Sequence, residues 1–553
     1  MTVSHISPTQ AQSWSSSWSP TPTNKQQPRQ APQWLQAIRE EVEGLVNKDT
    51  WEVVSPIPGV VPIPSRWVFK VKYAKDHSVE RFKARFVVRG DKQREGVDFG
   101  EVFSAVSHNT IARMLLSIAC TLNLEVDLVD VTQAFLNADI DSTVYVKPAQ
   151  GVTDVLGVPA DSWLKLKKSL YGLRQSPRNW SQEFMQWLRE EQQFQVCSQD
   201  DCLWFKEFVH KGKKTVILVL TYVDDDLIIS NNREAMDEFK AAMHEKYKIV
   251  DKGAVDYYLG VEITRDSTKS TLTLKQSKFI REILKNAHIS EKDPRGYCTP
   301  LPANINLFKN TENPLDRDLY QSLVGSLIYL STWTRPDIVY AVSELSKHMQ
   351  SPSRAHHVTL KHVLVYLSHT IDLGITYSKG DMMGSNIRYG FSDAGFAGDP
   401  DTRRSKTGWL TKLNNGPISW KSKDQSTVAL STCDAEVFAA VQAVKEIKYL
   451  RYQLHYVGLT QYDPTELFVD NQATIAIMTK GSLREETKHI GMRKAFLKEN
   501  YQRLQVKPVD CCTKNHLANI FTKSLPRQTF LRLRDIIMGH ARIRDEEYFT
   551  RTN

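Results

Sequence analysis

Three consecutive aspartates, Asp224 to Asp226, interrupt a strongly apolar stretch, with TVILVLTYV (215–223) before them and LIIS (227–230) after. Two short runs this rich in β-branched residues, parted by a polar break, read as the arms of a hairpin buried in a sheet. The acids then sit at the hairpin tip, held on rigid backbone. A turn needs only one or two such residues; three in a row repel one another, and a divalent cation relieves that repulsion. A further carboxylate, Asp130 in VDLVDVTQAF (126–135), ends another apolar strand. Mg²⁺ takes hard oxygen ligands and leaves room for phosphate oxygens, so Asp130, Asp224 and Asp225 suit phosphoryl transfer. Read from the acids alone, a polar hairpin tip beside an unrelated strand-end Asp is the competing account.

The 553 residues allow three or four folded units. With 41% hydrophobic and 24% charged residues the bulk is ordinary globular sequence. The longest apolar stretch, Val216 to Leu220, falls far short of the ~18 to 20 residues that span a bilayer, so no membrane association is expected. The first residues lack the apolar core of a signal peptide. Seven Cys, with no zinc-type spacing, suit reduced thiols and an intracellular chain. A net charge of +9 is dispersed and permits a polyanionic partner.

Residues 1–30, rich in Ser, Pro and Gln, read as a disordered tether. From Trp34 a helix is predicted, then a basic hairpin from RWVFKVKYA and ERFKARFVVRG around Lys75-Asp76-His77-Ser78. Further helices are predicted near 109–122 and 175–190, with a strand at 124–131 between them. A Pro- and Asn-rich linker at 297–318 leads to helices near 319–331, 336–349 and 354–369. From 386 the order is strand, strand, strand, helix, strand, helix, a mixed sheet with helices packed on it. A second acidic group, Asp393, Glu436 and Asp470, is spaced by 43 and 34 residues as strand-end Asp, helix Glu and strand-end Asp. Such residues can converge on one sheet edge, the ligand layout of a two-metal nuclease, although capping and turn acids remain the alternative.

The words around these residues go further. Tyr222-Val223-Asp224-Asp225 resembles the catalytic signature of reverse transcriptases. WVFKVK (67–72), RFKARFVVRG (81–90), DVTQAFLN (130–137), SLYGLRQSPRNW (169–180), YYLGVEI (257–263) and TRPDI (334–338) resemble, in order, the polymerase of copia-type LTR retrotransposons. FSDAGFAGDPDTRRSKTGWL, ISWKSKDQSTVALSTCDAEVFAA, VDNQATIA and TKHI resemble the ribonuclease H domain that follows it. The resemblance is thus to the C-terminal part of the Pol polyprotein, with no aspartic-protease triplet, zinc knuckle or integrase-type acidic triad found upstream.

That resemblance implies an α/β (α+β) chain. It would comprise a tether (1–30), a right-hand polymerase of fingers, palm and thumb (31–296), a linker and helical connection (297–385), a ribonuclease H-like domain (386–528) and a C-terminal tail (529–553). It implies RNA-directed DNA polymerase activity with a linked ribonuclease H, two Mg²⁺ per active site and Mn²⁺ as an alternative. Asp130 and Asp224 would hold the metals with Asp225 in support, and Asp393, Glu436 and Asp470 would do so in the nuclease. Lys72 and Arg85 would grip the incoming triphosphate, Phe135 would gate against the ribose 2′-hydroxyl, and Tyr171 and Gly172 would lie under template and base. Asp226 is expected to be a solvated neighbour. The implied partners are RNA template, DNA primer, RNA–DNA hybrid and dNTPs, with self-association or other products of the polyprotein as further candidates. The implied location is cytoplasmic, in a virus-like particle, or nuclear.

The sequence also departs from that pattern. NHLANIFTK puts Asn519 where the family has a fourth metal-site Asp, so the nuclease is expected to be impaired. Gly395, Asp434, Val437, Phe438, Ala105 and Ala138 also differ from the usual residues. The competing reading is an inactive retroelement relic that binds RNA or RNA–DNA hybrid without catalysis. A transposase or integrase-type nuclease leaves the Asp224 hairpin and the FKAR and LYGL blocks unexplained.

Overall fold

The computed structural model describes residues 31–73, 78–104, 107–303, 305–379, 389–480 and 491–541. The tether, part of the Lys75-to-Ser78 link, Ala105, TKHI with His489, and the end of the tail lie outside the described residues. Among the described residues the chain is a mixed α/β protein of four sheets, and no helix is long and apolar enough to cross a membrane.

The basic hairpin forms as expected, Ile63–Tyr73 against Val79–Val88, within a five-stranded sheet. The helix Ala31–Asn47 closes one face by driving Trp34 between Phe69 and Phe82, with ring centroids 4.9 and 4.8 Å away in edge-on geometry. The aspartate hairpin forms the middle of a six-stranded sheet, ordered Ile249–Ala254, Glu125–Val131, Asp225–Ser230, Lys213–Tyr222, Asp200–His210, Gln195–Cys197. Its two inner strands alternate sides. Val126, Leu128, Leu227 and Ile229 enter one core, while Val129, Val131 and Ile228 meet the helices Ser176–Glu190 and Arg233–Tyr247 on the other.

The partition expected along the chain meets a core that does not respect it. A four-stranded sheet joins Tyr257–Tyr258, Val261–Asp266 and Thr271–Lys275 to Ile375–Ser378, so it straddles the expected boundary at 296/297. One apolar cluster runs from Ile111 through Leu364, Tyr377 and Phe391 to Met538. Arg113, on the helix Asn109–Leu122, donates to the Ile418 and Thr332 carbonyls and lies 4.2 Å from the Trp420 ring, tying this helix to the strand Gly416–Asp424. The first part of the expected tail is the helix Arg527–Ile537, whose Phe530, Leu533 and Ile537 are buried in that cluster. Its apolar residues recur at helical spacing, so burying that stripe repays the cost of ordering it.

The TRPDI block explains itself here. Arg335 and Asp337 are fully buried and joined by two bonds of 2.9 and 2.8 Å. Tyr366 donates to the same carboxylate at 2.6 Å, and Thr370 accepts from Arg335. Burial alone would push Asp337 up, but the guanidinium and the Tyr366 hydroxyl outweigh it and hold the carboxyl below its ordinary value. Asp337→Asn keeps the shape and strands the guanidinium, so it is expected to cost about 3–5 kcal/mol, read by denaturant unfolding.

The last sheet is ordered Gly416–Asp424, Lys406–Leu413, Tyr389–Gly395, Thr465–Val469, Val506–Asp510, the first three antiparallel and the last two parallel to their inner neighbours. The helix Thr432–Tyr456 packs on it through Ala440, Ala443, Val444 and Ile447, which share one apolar cluster with Trp409, Leu467 and Val469 of the sheet.

Candidate active sites

Asp130 and Asp225 are direct cross-strand partners in the six-stranded sheet, so both carboxylates leave the same face side by side. Between them stands Lys252, whose Nζ is 3.1 Å from Asp130 Oδ2 and 3.0 Å from Asp225 Oδ1. The pair thus already holds a positive charge between its oxygens, and in this sense its chemistry fits a divalent ion. Asp224 lies in the turn itself. Its amide neighbour Val223 has φ 61, a conformation costly for a β-branched residue, and the strain is held by the buried Trp180, whose Nε1 donates to the Val223 carbonyl at 2.6 Å. The Asp224 carbonyl accepts from Val131 N at 2.8 Å, locking the tip to the Asp130 strand. Burial, then the Asp225 and Asp130 charges, raise the Asp224 carboxyl above its ordinary value, with Arg85 opposing.

Asp226 is not the solvated neighbour expected. Strand alternation turns it to the face away from Asp225, where it is fully buried and neither oxygen has a hydrogen-bond partner among the described residues. Burial first, then the charges of Asp225, Asp224 and Asp130, push its carboxyl well above the ordinary value.

Phe135, Tyr171 and Arg85 form one wall beside this site. The rings of Phe135 and Tyr171 are 5.3 Å apart edge to face, and the Arg85 guanidinium lies 4.9 Å over Tyr171. Burial pushes the Tyr171 hydroxyl up to about 12, with Glu41, Asp224 and Asp130 adding to it and Arg85 pulling against it. Lys72 lies on the same hairpin, opposite Arg81, with only its backbone described. Gly172 has a packing reason to be glycine: its φ is 92 and a Cβ would fall 2.1 Å from the Val88 carbonyl oxygen. The strand carrying Arg85 is thereby pressed against the Tyr171 loop.

Asp393 and Asp470 come together because their strands are parallel neighbours. Phe391 is in register with Phe468, so two residues further on both acids emerge side by side at the carboxyl ends. Glu436, in the first turns of the long helix, completes the group, and ligand atoms of the three lie within 4.8 Å of one another. Glu436 Oε1 accepts from Ala394 N at 3.2 Å, while Oε2 is buried without a hydrogen-bond partner among the described residues. Burial first, then Asp393 and Asp470, push Glu436 well above the ordinary carboxyl range. Crowded acids with an orphaned oxygen fit a divalent cation. Sequence reading missed the groups that hold them: Thr522 donates to Asp393, Lys523 stands 3.7 Å from it, and Thr513 donates to Asp470 at 3.0 Å. Asn519 links the two threonines. Its Nδ2 donates to the Thr513 carbonyl at 2.6 Å and its own carbonyl accepts from Thr522.

Residues 48–302 match the family described as reverse transcriptase (RNA-dependent DNA polymerase). The chain is 34% identical, over 92% of its length, to the retrovirus-related Pol polyprotein from transposon TNT 1-94 of Nicotiana tabacum. It is 32% identical, over 90% of its length, to that from transposon RE1 of Arabidopsis thaliana. It spans 38% and 33% of those two polyproteins. A solved foamy viral protease–reverse transcriptase in complex with double-stranded DNA aligns with 89% of this chain and 70% of its own, at 12% identity and a TM-score of 0.46. The aspartate hairpin and its wall lie inside the matched segment, so over that segment the chain is similar to reverse transcriptases, and over most of its length it is similar to the Pol polyproteins of plant transposons.

Proposed function

We propose that the chain copies RNA into DNA at the Asp130, Asp224 and Asp225 site, with Mg²⁺ as its ion and Mn²⁺ as an alternative. The observation that carries this reading is the cross-strand pairing of Asp130 with Asp225, with a cation already held between them. Bound divalent ions would lower the pKa of the primer hydroxyl and stabilise the leaving oxygen. The chain's own residues do the rest. Asp130, Asp225 and Asp224 supply the oxygens; Arg85, with Lys72 on the same hairpin, meets the triphosphate; Phe135 and Tyr171 present an aromatic wall to sugar and base. The template–primer duplex would be gripped through phosphates and shape, so binding should be insensitive to sequence and weaken with salt.

Asp393, Glu436 and Asp470 form a second, hydrolytic site for the RNA strand of a hybrid, its rate limited by Asn519. Both sites then lie in one intracellular product that meets an RNA template, a DNA primer and dNTPs. The test is primer extension on poly(rA)/oligo(dT). With Mg²⁺ or Mn²⁺ the chain should add dT residues, and EDTA should stop it; hybrid binding without extension under every metal condition would favour the relic reading.

A further inference from the structure

We propose that Lys252 is a positioning residue that competes with the divalent ion for Asp130 and Asp225, so that the nucleotide-free polymerase site binds metal weakly. The inference deepens the polymerase reading and rests on it.

The ammonium is placed by backbone design. The ladder between Ile249–Ala254 and Glu125–Val131 shifts register between Asp251 and Ala254, a bulge in which Lys252 and Gly253 together stand opposite Leu128. Gly253 has φ 68 and, among the described residues, nothing within 4 Å of a notional Cβ, so glycine serves the bend there and not the packing. Asp251 Oδ1 accepts from Gly253 N at 2.8 Å and fixes the turn. The other Asp251 oxygen takes the Lys240 ammonium at 2.8 Å, and Lys240 reaches the fully buried Asp127 at 2.6 Å. Asp127 lies three residues before Asp130 on the same strand, so the base of Lys252 and the base of its target are tied to one charged cluster.

A solvent-facing lysine paired with one acid would be unremarkable and weak. Lys252 bridges two acids, and both belong to the three that the proposed site offers a divalent ion. Both cannot be used at once, since the oxygens facing the ammonium, Asp130 Oδ2 and Asp225 Oδ1, face the same space. Its four-carbon stem lets the head swing away once a doubly charged ion with triphosphate oxygens arrives. Without the triphosphate, the incoming ion must displace a cation already in place.

The test is Mn²⁺ binding to the full chain without nucleotide, followed by the electron paramagnetic resonance of free Mn²⁺, in an Asp470→Asn background that weakens the nuclease site. Lys252→Met should tighten the polymerase-site isotherm by roughly three- to tenfold, the scale of two partly exposed ion pairs, whereas Lys252→Arg should not. Melting in EDTA should show Lys252→Met less stable than the parent, with Mn²⁺ reversing the loss. Unchanged or weaker Mn²⁺ binding by a folded Lys252→Met variant would overturn the competition. An isotherm that Asp130→Asn leaves untouched would instead remove the metal assignment itself, and the role of Lys252 with it.

Discussion

Asp224→Asn and Asp225→Asn are each expected to cut primer extension by at least about 10³-fold, the scale reached when one preorganised charge is taken from a reaction site. Their effects on stability should nevertheless differ. Asp224 has a raised carboxyl value because burial and the Asp225 and Asp130 charges disfavour its anion. A group whose folded-state value lies above its unfolded one binds more protons when folded. Stability therefore falls as pH rises from the ordinary aspartate value of 3.8 through the raised one, and the penalty is fully present above the raised value. Asparagine carries no such penalty, so in EDTA at pH 7 Asp224→Asn should melt at or above the parent while losing activity. Asp225→Asn removes one of the two partners of Lys252 and should melt at or below it. Parallel loss of stability and activity in both variants would show that Asp224 serves folding, and extension retained within tenfold by either would remove it from the reacting set.

Much of this site is legible in the amino-acid sequence, for a local reason. A carboxylate at or near the end of an apolar run declares the strand and the sheet edge where the acid stands, and Asp130, Asp225, Asp393 and Asp470 all do so. What stays hidden depends on partners far away along the chain. Lys252 reads as one surface lysine among many, because only the bulge at Gly253 aims it. The sheet built from Val261–Asp266, Thr271–Lys275 and Ile375–Ser378 pairs segments about a hundred residues apart, with no turn signal to announce the last strand. Val506–Asp510 escapes sequence reading because Pro508 argues against a strand, yet it occupies a sheet edge, where a missing N–H costs little. Asp226 misleads in the opposite way. Its neighbours mark it as polar tip, but the two-residue period of a strand sends it inward.

The nuclease should lose what cleavage it has when Asp393 or Asp470 becomes Asn, by about 10²- to 10³-fold on an RNA–DNA hybrid. More informative is the direction in which Asn519 moves it. The amide nitrogen of Asn519 is committed to the Thr513 carbonyl, and its oxygen is buried without a hydrogen-bond partner among the described residues. Asn519→Asp cannot keep that donor, so in EDTA it should destabilise the domain by about 1–3 kcal/mol. With a divalent ion present the new carboxylate has a partner, and cleavage should rise about 10- to 100-fold, the range over which groups just outside a metal's ligands tune activity. Metal uptake at this site should also strengthen as pH rises above 4.5, the ordinary glutamate value, through the raised value of Glu436, because binding must displace that proton. Calorimetry in buffers of different ionisation heat measures the release, and Glu436→Gln should abolish it. Rapid hybrid cleavage by the parent chain, with no gain from Asn519→Asp, would show that three carboxylates suffice and that Asn519 acts only through the threonines it joins.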